Sequence, residues 1–397
     1  MTIYEIGTGY TSIPARMGAA TEIVVEGLTK AFKKKGVKVK LLDIEDSNRL
    51  KTKLKVFEVP MPKFLLNTDV KLGIVHKLKR VIYSIELAKE LNKHLARSKD
   101  DVLLHFHNQY NMYFFNMLCN KKNLKNVKIA YTVHSYIWPD SWNKIKKTVK
   151  KKYFQEIDCV KKADYVLVLN KRTKSHFVKH LRVDENKIYE IINGVDTDKY
   201  FPVSQNEIAD FKEKINLSGY KIVFQVGSIC DRKNQLGALE MMKDFLKNHP
   251  NVAYVYAGGI IDNEYKNEID RIAREEGISS QVKYVGELSP GEQLNLFYNV
   301  ANLTIFPSKV ESFGLVIIES LSAGTPVLLA DKPLFDLEKG YDLFNGKDEF
   351  VAQLYRKLEC EKKIIDRSEV IKKYSWDSVA ERHLNIFLKE EDRNEKK

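Results

Sequence analysis

The sequence predicts an α/β protein made of two doubly wound, Rossmann-like domains facing across a cleft. Three observations point there. The chain has 397 residues, more than one compact domain of about 100–200 residues normally holds. Short apolar runs alternate with longer amphipathic, Lys/Glu-rich segments, the pattern of β-α-β units around a parallel sheet. That alternation breaks once, at Asn193-Gly194, and then resumes as a second series.

Taken in order, the first series predicts strands at Ile3–Ile6, Val37–Leu42, Val102–His105, Lys128–Val133, Tyr165–Leu169 and Ile188–Ile192. Helical spacing appears over Thr21–Lys35 and Val81–Ala96. Asp196–Ser204, with Pro202, reads as an irregular connection. The second series predicts strands at Ile222–Val226, Val252–Ala257, Val282–Val285, Leu303–Phe306 and Pro326–Ala330. Helices at Gln235–Asn248, Glu264–Glu276, Pro290–Tyr298 and Val316–Ala323 fall between them. Beyond Asp331 the pattern weakens, until Ser375 to Leu388 reads as a helix with Ser375 at its N-cap. Lys389–Lys397 is almost wholly charged and is expected to fray. The domains expected are 1–200, 201–374, and a terminal helix over 375–397 that crosses back to the first.

Composition narrows the class. Apolar residues make up 44% of the chain, enough for two cores, so wholesale disorder is excluded. The formal net charge of +13 favours anionic partners: polyanions, anionic headgroups or phosphorylated small molecules. Much of it clusters early, at Lys33-Lys34-Lys35, Lys51/Lys53/Lys55, Lys77/Lys79/Arg80, Lys121-Lys122 and Lys144 to Lys152. Such clusters read either as solvated helix faces or as a surface for an anionic membrane. No groove-reading motif accompanies them, so nucleic acid is not expected. Cys119, Cys159, Cys230 and Cys360 have neither metal-ligand nor disulfide-framework spacing. No apolar stretch approaches the roughly 18–20 residues of a spanning helix, and the first residues lack a signal-peptide pattern. A cytoplasmic location, at most peripheral to the inner membrane face, is expected.

The most informative stretch runs from Phe306 through Glu311, Ser312, Phe313 and Gly314 to Glu319, then Ala323-Gly324-Thr325-Pro326. A buried strand enters a loop holding Glu311 and Gly314, and an apolar helix follows. Free amides at that helix head, with the helix dipole, suit a diphosphate. At roughly 100° per residue Glu311 and Glu319 point to roughly similar sides, more than about 10 Å apart along the axis. That exceeds the separation of a glycosidase acid/nucleophile pair but fits two carboxylates gripping hydroxyls at opposite ends of one long ligand. Glu319 sits among Val316, Ile317, Ile318 and Leu321, where an acid needs a partner.

This segment resembles the E-x7-E signature of retaining glycosyltransferases of the GT-B architecture, family 4, and the resemblance extends in order over nearly the whole chain. It implies that Glu311 holds donor-sugar hydroxyls, that Glu319 holds the ribose, and that the backbone of Phe313, Gly314 and Leu315 meets hexose and diphosphate. Val226-Gly227-Ser228-Ile229-Cys230-Asp231-Arg232-Lys233-Asn234 resembles the loop whose basic residues neutralise the leaving diphosphate. Lys233 matches the family lysine. Ser228 stands where the family usually has Arg, a real departure; Arg232 is the candidate for the missing charge, although its side chain starts elsewhere on the loop. Tyr256-Ala257-Gly258-Gly259 and Val285-Gly286-Glu287 resemble loops of the nucleotide pocket, Gly258 by close approach and Val285 through main-chain contact with the base. Asn193-Gly194-Val195-Asp196 resembles the family's interdomain turn.

In the first domain, Gly7-Thr8-Gly9 lacks the remaining spacing of a dinucleotide fingerprint, since position 12 is Ser. The resemblance weights Met17-Gly18-Ala19 instead: Gly18 would lie near the leaving phosphate, with Arg16 an acceptor or phosphate contact, while Ala19 replaces a second family glycine. His134, after the strand ending in Val133, matches the family histidine that bonds the transferring sugar. His105 and His107 flank the preceding strand end and read mainly as structural, with His107 the candidate acceptor contact.

The activity implied is transfer of a hexosyl unit, with retention, from a nucleotide-diphosphate sugar (a UDP-sugar favoured) to a hydroxyl of a glycan or lipid-linked intermediate of cell-surface polysaccharide synthesis. No Asp-x-Asp pair lies in a suitable loop, so neither metal nor cofactor is expected beyond the co-substrate. Two other readings stay open: a sugar-nucleotide epimerase or phosphorylase of the same architecture, and a non-catalytic partner of a second transferase, which Ser228 and Ala19 favour.

Overall fold

The structure is a computed structural model that describes residues 1–15, 19–65, 74–134, 147, 151, 153–309, 311, 313–330, 336–359 and 364–388. The chain divides into two compact units, Met1–Asn193 with Trp376–Lys397, and Gly194–Ser375. Val195 belongs to the second because its amide donates to the Tyr374 carbonyl and it bridges to Ser375.

The first unit is a seven-stranded sheet in the order β3-β2-β1-β4-β5-β6-β7. Its strands are β1 (Thr2–Ile6), β2 (Val39–Ile44), β3 (Val56–Val59), β4 (Val102–Phe106), β5 (Val127–Val133), β6 (Tyr165–Val168) and β7 (Ile188–Glu190), and every neighbouring pair is parallel. Helices cover both faces of such a sheet, so its inner strands are apolar for most of their length, with Glu5, Asp43 and His105 as buried exceptions. Three intervening helices are Ala20–Lys34, Ile74–Ala96 and Gln109–Leu118. The helix Trp376–Leu388 packs on Ala20–Lys34: the Trp376 indole occupies the space a side chain at Gly27 would need, and Lys34 pairs with Asp377.

The second unit is a six-stranded sheet, β10-β9-β8-β11-β12-β13, again parallel throughout. Its strands are β8 (Lys221–Val226), β9 (Val252–Ala257), β10 (Val282–Tyr284), β11 (Leu303–Phe306), β12 (Val327–Leu329) and β13 (Tyr341–Leu343). Of the four edge strands, β3 and β13 escape the sequence pattern. β3 has four residues with Glu58 exposed, and it follows the Lys51/Lys53/Lys55 cluster; β13 has three residues, of which Leu343 is exposed. The pattern also passes over the helices Gln109–Leu118 and Gly346–Glu359. Among the described residues no helix is long and apolar enough to cross a membrane.

Strand order reverses between β1 and β4 in the first sheet and between β8 and β11 in the second. In open α/β sheets ligands bind beyond the carboxyl ends of the strands at such points.

Candidate functional site

In the second unit the chain leaves β8 at Val226 and makes the turn Asp231–Lys233 before the helix Gln235–Asn248. Buried side chains pin that turn. Tyr254 donates its hydroxyl to Gln225 Oε1 at 2.7 Å, and Gln225 Nε2 donates to the Lys233 carbonyl at 2.8 Å. The loop after β11 is latched to it: Asn234 Nδ2 donates to the Pro307 carbonyl (3.1 Å), the Lys309 amide to the Arg232 carbonyl (3.0 Å), and Lys309 Nζ pairs with Asp231 Oδ1 (2.6 Å).

The consequence is a convergence of charge. Lys233 Nζ pairs with Glu311 Oε1, and Arg232 Nη1 lies 3.8 Å from Glu311 Oε2. The Lys233 and Glu311 side chains are 13% and 22% exposed, whereas Arg232 is 53% exposed. One carboxylate therefore faces two cations, and the cluster as a whole is positive.

Beside this group begins the helix Leu315–Ser322, entered from Gly314 at φ +83. A left-handed residue with Ile317 Cδ1 2.6 Å from where a Cβ would stand admits only glycine comfortably. The head of the helix presents amides without intrahelical acceptors. Phe313 turns inward against Tyr374, with ring centres 6.2 Å apart. Glu319 lies about one turn into the helix, 5% exposed, and Tyr298 donates to its Oε2 at 3.0 Å. Burial pushes its carboxyl up to about 7 against the opposing hydrogen bonds of Tyr298 and Tyr200. The partner this acid needs is thus a tyrosine pair.

Gly258 and Val285 sit at the ends of β9 and β10. The Gly258 amide donates to the Gly286 carbonyl at 2.8 Å, and its own carbonyl accepts from the Tyr284 hydroxyl at 2.7 Å. A Cβ there would run into the Gly227 carbonyl oxygen. The glycine is accounted for by packing of two strand ends, and both its main-chain groups are engaged within the unit. Val285 is half-buried, and its amide donates to the Tyr256 carbonyl at 3.0 Å.

In the first unit, Glu5 of β1 stands in register with His105 of β4, and His107, two residues on, projects to the same side. Glu5 Oε1 meets His105 Nδ1 at 2.8 Å and Glu5 Oε2 meets His107 Nε2 at 2.9 Å. His105 Nε2 meets Thr132 Oγ1 at 2.7 Å, and His107 Nδ1 meets His134 Nε2 at 2.9 Å. The Glu5, His105 and His107 side chains are all fully buried, and His134 is half-buried at the end of β5. Although burial opposes ionisation, the adjacent His105 and His107 hold Glu5 down at about 2. Burial, reinforced by neighbouring His105, lowers His107 to about 4; burial and His107 hold His134 well below the usual imidazole range. His107, expected against the acceptor, therefore has both ring nitrogens engaged inside the unit.

Close by, Thr8 donates to Glu22, whose carboxyl burial raises to about 7, while Asp43 takes the Ile13 amide at 2.7 Å and Arg49 Nη1 at 2.6 Å. Gly7 and Gly9 pack against Asp43 and Tyr83 rather than facing a ligand. Arg16 and Gly18, expected near acceptor and phosphate, lie outside the described residues. Among the described residues, Glu5, His105 and His107 are the group whose ligand atoms lie close enough together, within 4.8 Å, to hold a cation. Those atoms already satisfy one another by hydrogen bonds. Glu5, Gln225 and Tyr298 have no place among the sequence candidates. An acid inside the apolar run Ile3–Ile6 is the signal available for Glu5; nothing local marks the other two.

Two parallel sheets, each with polar groups gathered at its switch point, and a glycine-entered helix beside paired cations define the GT-B class of glycosyltransferase. The family models agree: "Glycosyltransferase Family 4" matches residues 21–199 and "Glycosyl transferases group 1" matches residues 207–336. The chain belongs to these family-4-like GT-B glycosyltransferases. It is 23% identical over 235 residues to an uncharacterized glycosyltransferase of Methanocaldococcus jannaschii, covering 56% of this chain and 59% of that relative. It is 25% identical over 284 residues to the UDP-Gal:alpha-D-GlcNAc-diphosphoundecaprenol alpha-1,3-galactosyltransferase of Escherichia coli, covering 66% and 70%. These alignments thus span only part of each relative. Among solved structures, sucrose-phosphate synthase of Thermosynechococcus elongatus superposes with a TM-score of 0.73 at 19% identity over 99% of both chains. Anabaena HepE, solved with UDP and glucose, gives 0.71 at 14% identity over 98% of this chain and 99% of that one.

Proposed function

We propose that this protein transfers a hexosyl unit, with retention, from a nucleotide-diphosphate sugar to a hydroxyl acceptor. The observation that carries the reading is the meeting of Lys233, Arg232 and Glu311 beside the helix entered at Gly314. A nucleoside diphosphate leaving the sugar needs fixed positive charge at its β-phosphate, and preorganised charge of this kind is commonly the largest catalytic contribution. Lys233, Arg232 and the helix-head amides of Leu315 and its neighbours supply it without a metal. Glu311 takes hydroxyls of the donor sugar, and Phe313 and Gly314 meet the hexose. Glu319 takes the ribose and the Val285 main chain the base, while Gly258 shapes the pocket wall.

In the reaction the anomeric C–O bond breaks with its electron pair passing to the β-phosphate oxygen. That oxygen accepts the acceptor hydroxyl's proton as the new C–O bond forms on the same face. His134 binds a hydroxyl in the first unit, and Arg16 and Gly18 are assigned to acceptor and phosphate. A UDP-sugar is the favoured donor, consistent with the UDP named for an Escherichia coli relative and for an Anabaena fold neighbour. A lipid-linked or glycan acceptor is favoured, consistent with the diphosphoundecaprenol in that relative's name. The basic first half then suits peripheral docking at an anionic membrane face.

The test is a thermal-shift panel of UDP-, GDP- and ADP-sugars on the intact chain, followed by NMR of the product's anomeric proton. A UDP-sugar should raise the melting temperature and the product should keep the donor's configuration. Stabilisation by none of them, in wild type and Lys233→Ala alike, would overturn the reading; an inverted product would overturn retention.

A further inference from the structure

The hydrogen-bond chain in the first unit has a polarity that only one of its members can set. A carboxylate accepts and never donates. Glu5 is ionised, so both histidines facing it donate: His105 through Nδ1 and His107 through Nε2. His107 is a neutral imidazole, held so by its burial, and its single proton is committed to Glu5. Its Nδ1 is therefore a lone pair, and at 2.9 Å from His134 Nε2 it must accept. His134 is then the donor, with its proton on Nε2 and a bare Nδ1. Which ring nitrogen carries the proton is set by the bond the other ring makes.

We propose that Glu5 and His107 are positioning residues that lock His134 in its Nε2–H tautomer, leaving Nδ1 as a hydrogen-bond acceptor for a carbohydrate hydroxyl. The ligand assignment rests on the transferase reading above; the tautomer does not. Among the described residues, the groups around His134 fit this polarity. His105 and His107 come from the carboxyl end of β4, Glu5 from β1, and His383 from the helix Trp376–Leu388. His383 uses its own Nδ1 on the Val379 carbonyl at 2.8 Å and leaves the chain undisturbed. A histidine ring free to flip tautomer would offer a sugar hydroxyl a donor or an acceptor indifferently. A locked one accepts only, which selects a hydroxyl able to turn its proton toward the ring.

The experiment uses full-length protein labelled with ring-15N histidine, without substrate. His134 is identified among the nine histidines by loss of its signals in His134→Gln. Wild type should show a protonated Nε2 and a lone-pair Nδ1. In His107→Leu the lock is gone and His134 should average both tautomers. In His107→Gln the amide can donate to Glu5 and accept from His134, so the wild-type pattern should return. Should the His107→Leu protein fail to fold, Glu5→Gln gives the same reading, because an amide presents a donor to one of the two histidines and the chain can reverse. A wild-type His134 that is Nδ1–H or doubly protonated would overturn the proposal. So would a pattern indifferent to both His107→Leu and Glu5→Gln, or stoichiometric zinc whose removal by chelator rearranges the ring signals.

Donor turnover supplies the second readout. His107→Leu should lower kcat about tenfold to hundredfold, and His107→Gln should recover most of it. Full activity in His107→Leu despite a scrambled tautomer overturns the positioning role. Absence of turnover in wild type counts against the transferase reading and leaves the ring assignment standing.

Discussion

Replacing Glu311 by Gln should make the protein bind UDP more tightly while making it a worse enzyme. Without donor, Lys233 and Arg232 are not waiting empty; both face the Glu311 carboxylate. A diphosphate must compete with that carboxylate for the lysine and must also approach its negative charge. At contact distance and an effective dielectric near 20 the gross attraction of such a pair is about 4 kcal/mol. With Lys233 13% and Glu311 22% exposed, solvent and side-chain entropy cut the net to about 1 kcal/mol. Glu311→Gln keeps the shape and removes the competition, so UDP affinity should rise about fivefold. Turnover should fall by about a hundredfold if the carboxylate grips the sugar in the transition state. Isothermal titration of UDP into wild type, Glu311→Gln, Lys233→Gln and the double variant measures the coupling directly. UDP affinity that is unchanged or weaker in Glu311→Gln refutes the idea that the pair guards the site.

Two further outcomes follow. If Arg232 supplies the charge missing at Ser228, then Arg232→Ala should lower kcat at least about tenfold and the added change Ser228→Arg should restore part of it; steady-state kinetics with no recovery would count against that compensation. Glu319, raised by burial from the usual carboxylate range to about 7, binds its proton more tightly folded than unfolded, so its contribution is complete below about pH 4.5 and lost as pH rises through 7. Relative to Glu319→Gln, wild type should therefore gain about 3 kcal/mol between pH 7 and 4.5, and chemical denaturation at both pH values with a constant difference would refute the burial argument.

What the sequence disclosed and what it hid divide along physical lines. Glu311, Gly314 and Glu319 are legible because one loop and one helix carry them, so their spacing along the chain is their spacing in space. Lys233 is legible through the resemblance of the loop Val226–Asn234 to the family's basic loop, whose lysine it matches. Its engagement with Glu311, however, depends on loops after β8 and β11 being sewn together by Asn234, Lys309 and Asp231, residues whose types are ordinary for turns. The first-unit chain is hidden more deeply. Glu5, His105 and His134 come from three strands, and only the registers of β1 on β4 and β4 on β5 bring them together. His107 reads in the sequence mainly as a structural strand-end residue, with acceptor contact the candidate role; its bonds to Glu5 and His134 come from that same register. Gly258 carries the opposite lesson: close approach does require glycine, but the approaching atom is the Gly227 carbonyl.

The two switch points solve one problem with different chemistry, and the difference follows from what each must hold. In the second sheet the buried pair Tyr254–Gln225 fixes a backbone carbonyl, that of Lys233. A carbonyl can only accept, so a neutral amide that donates to it is sufficient, and no charge need be buried. In the first sheet the object held is an imidazole, which can present either face of its proton. A neutral amide at position 5 would leave that choice open, because it offers a donor and an acceptor of nearly equal shape. An ionised carboxylate closes the choice, though it buries a charge that only the two donating histidines make tolerable. A buried acid in β1 is hard to justify as packing, and as the one strict acceptor in a chain of ambivalent rings it has a reason to be there.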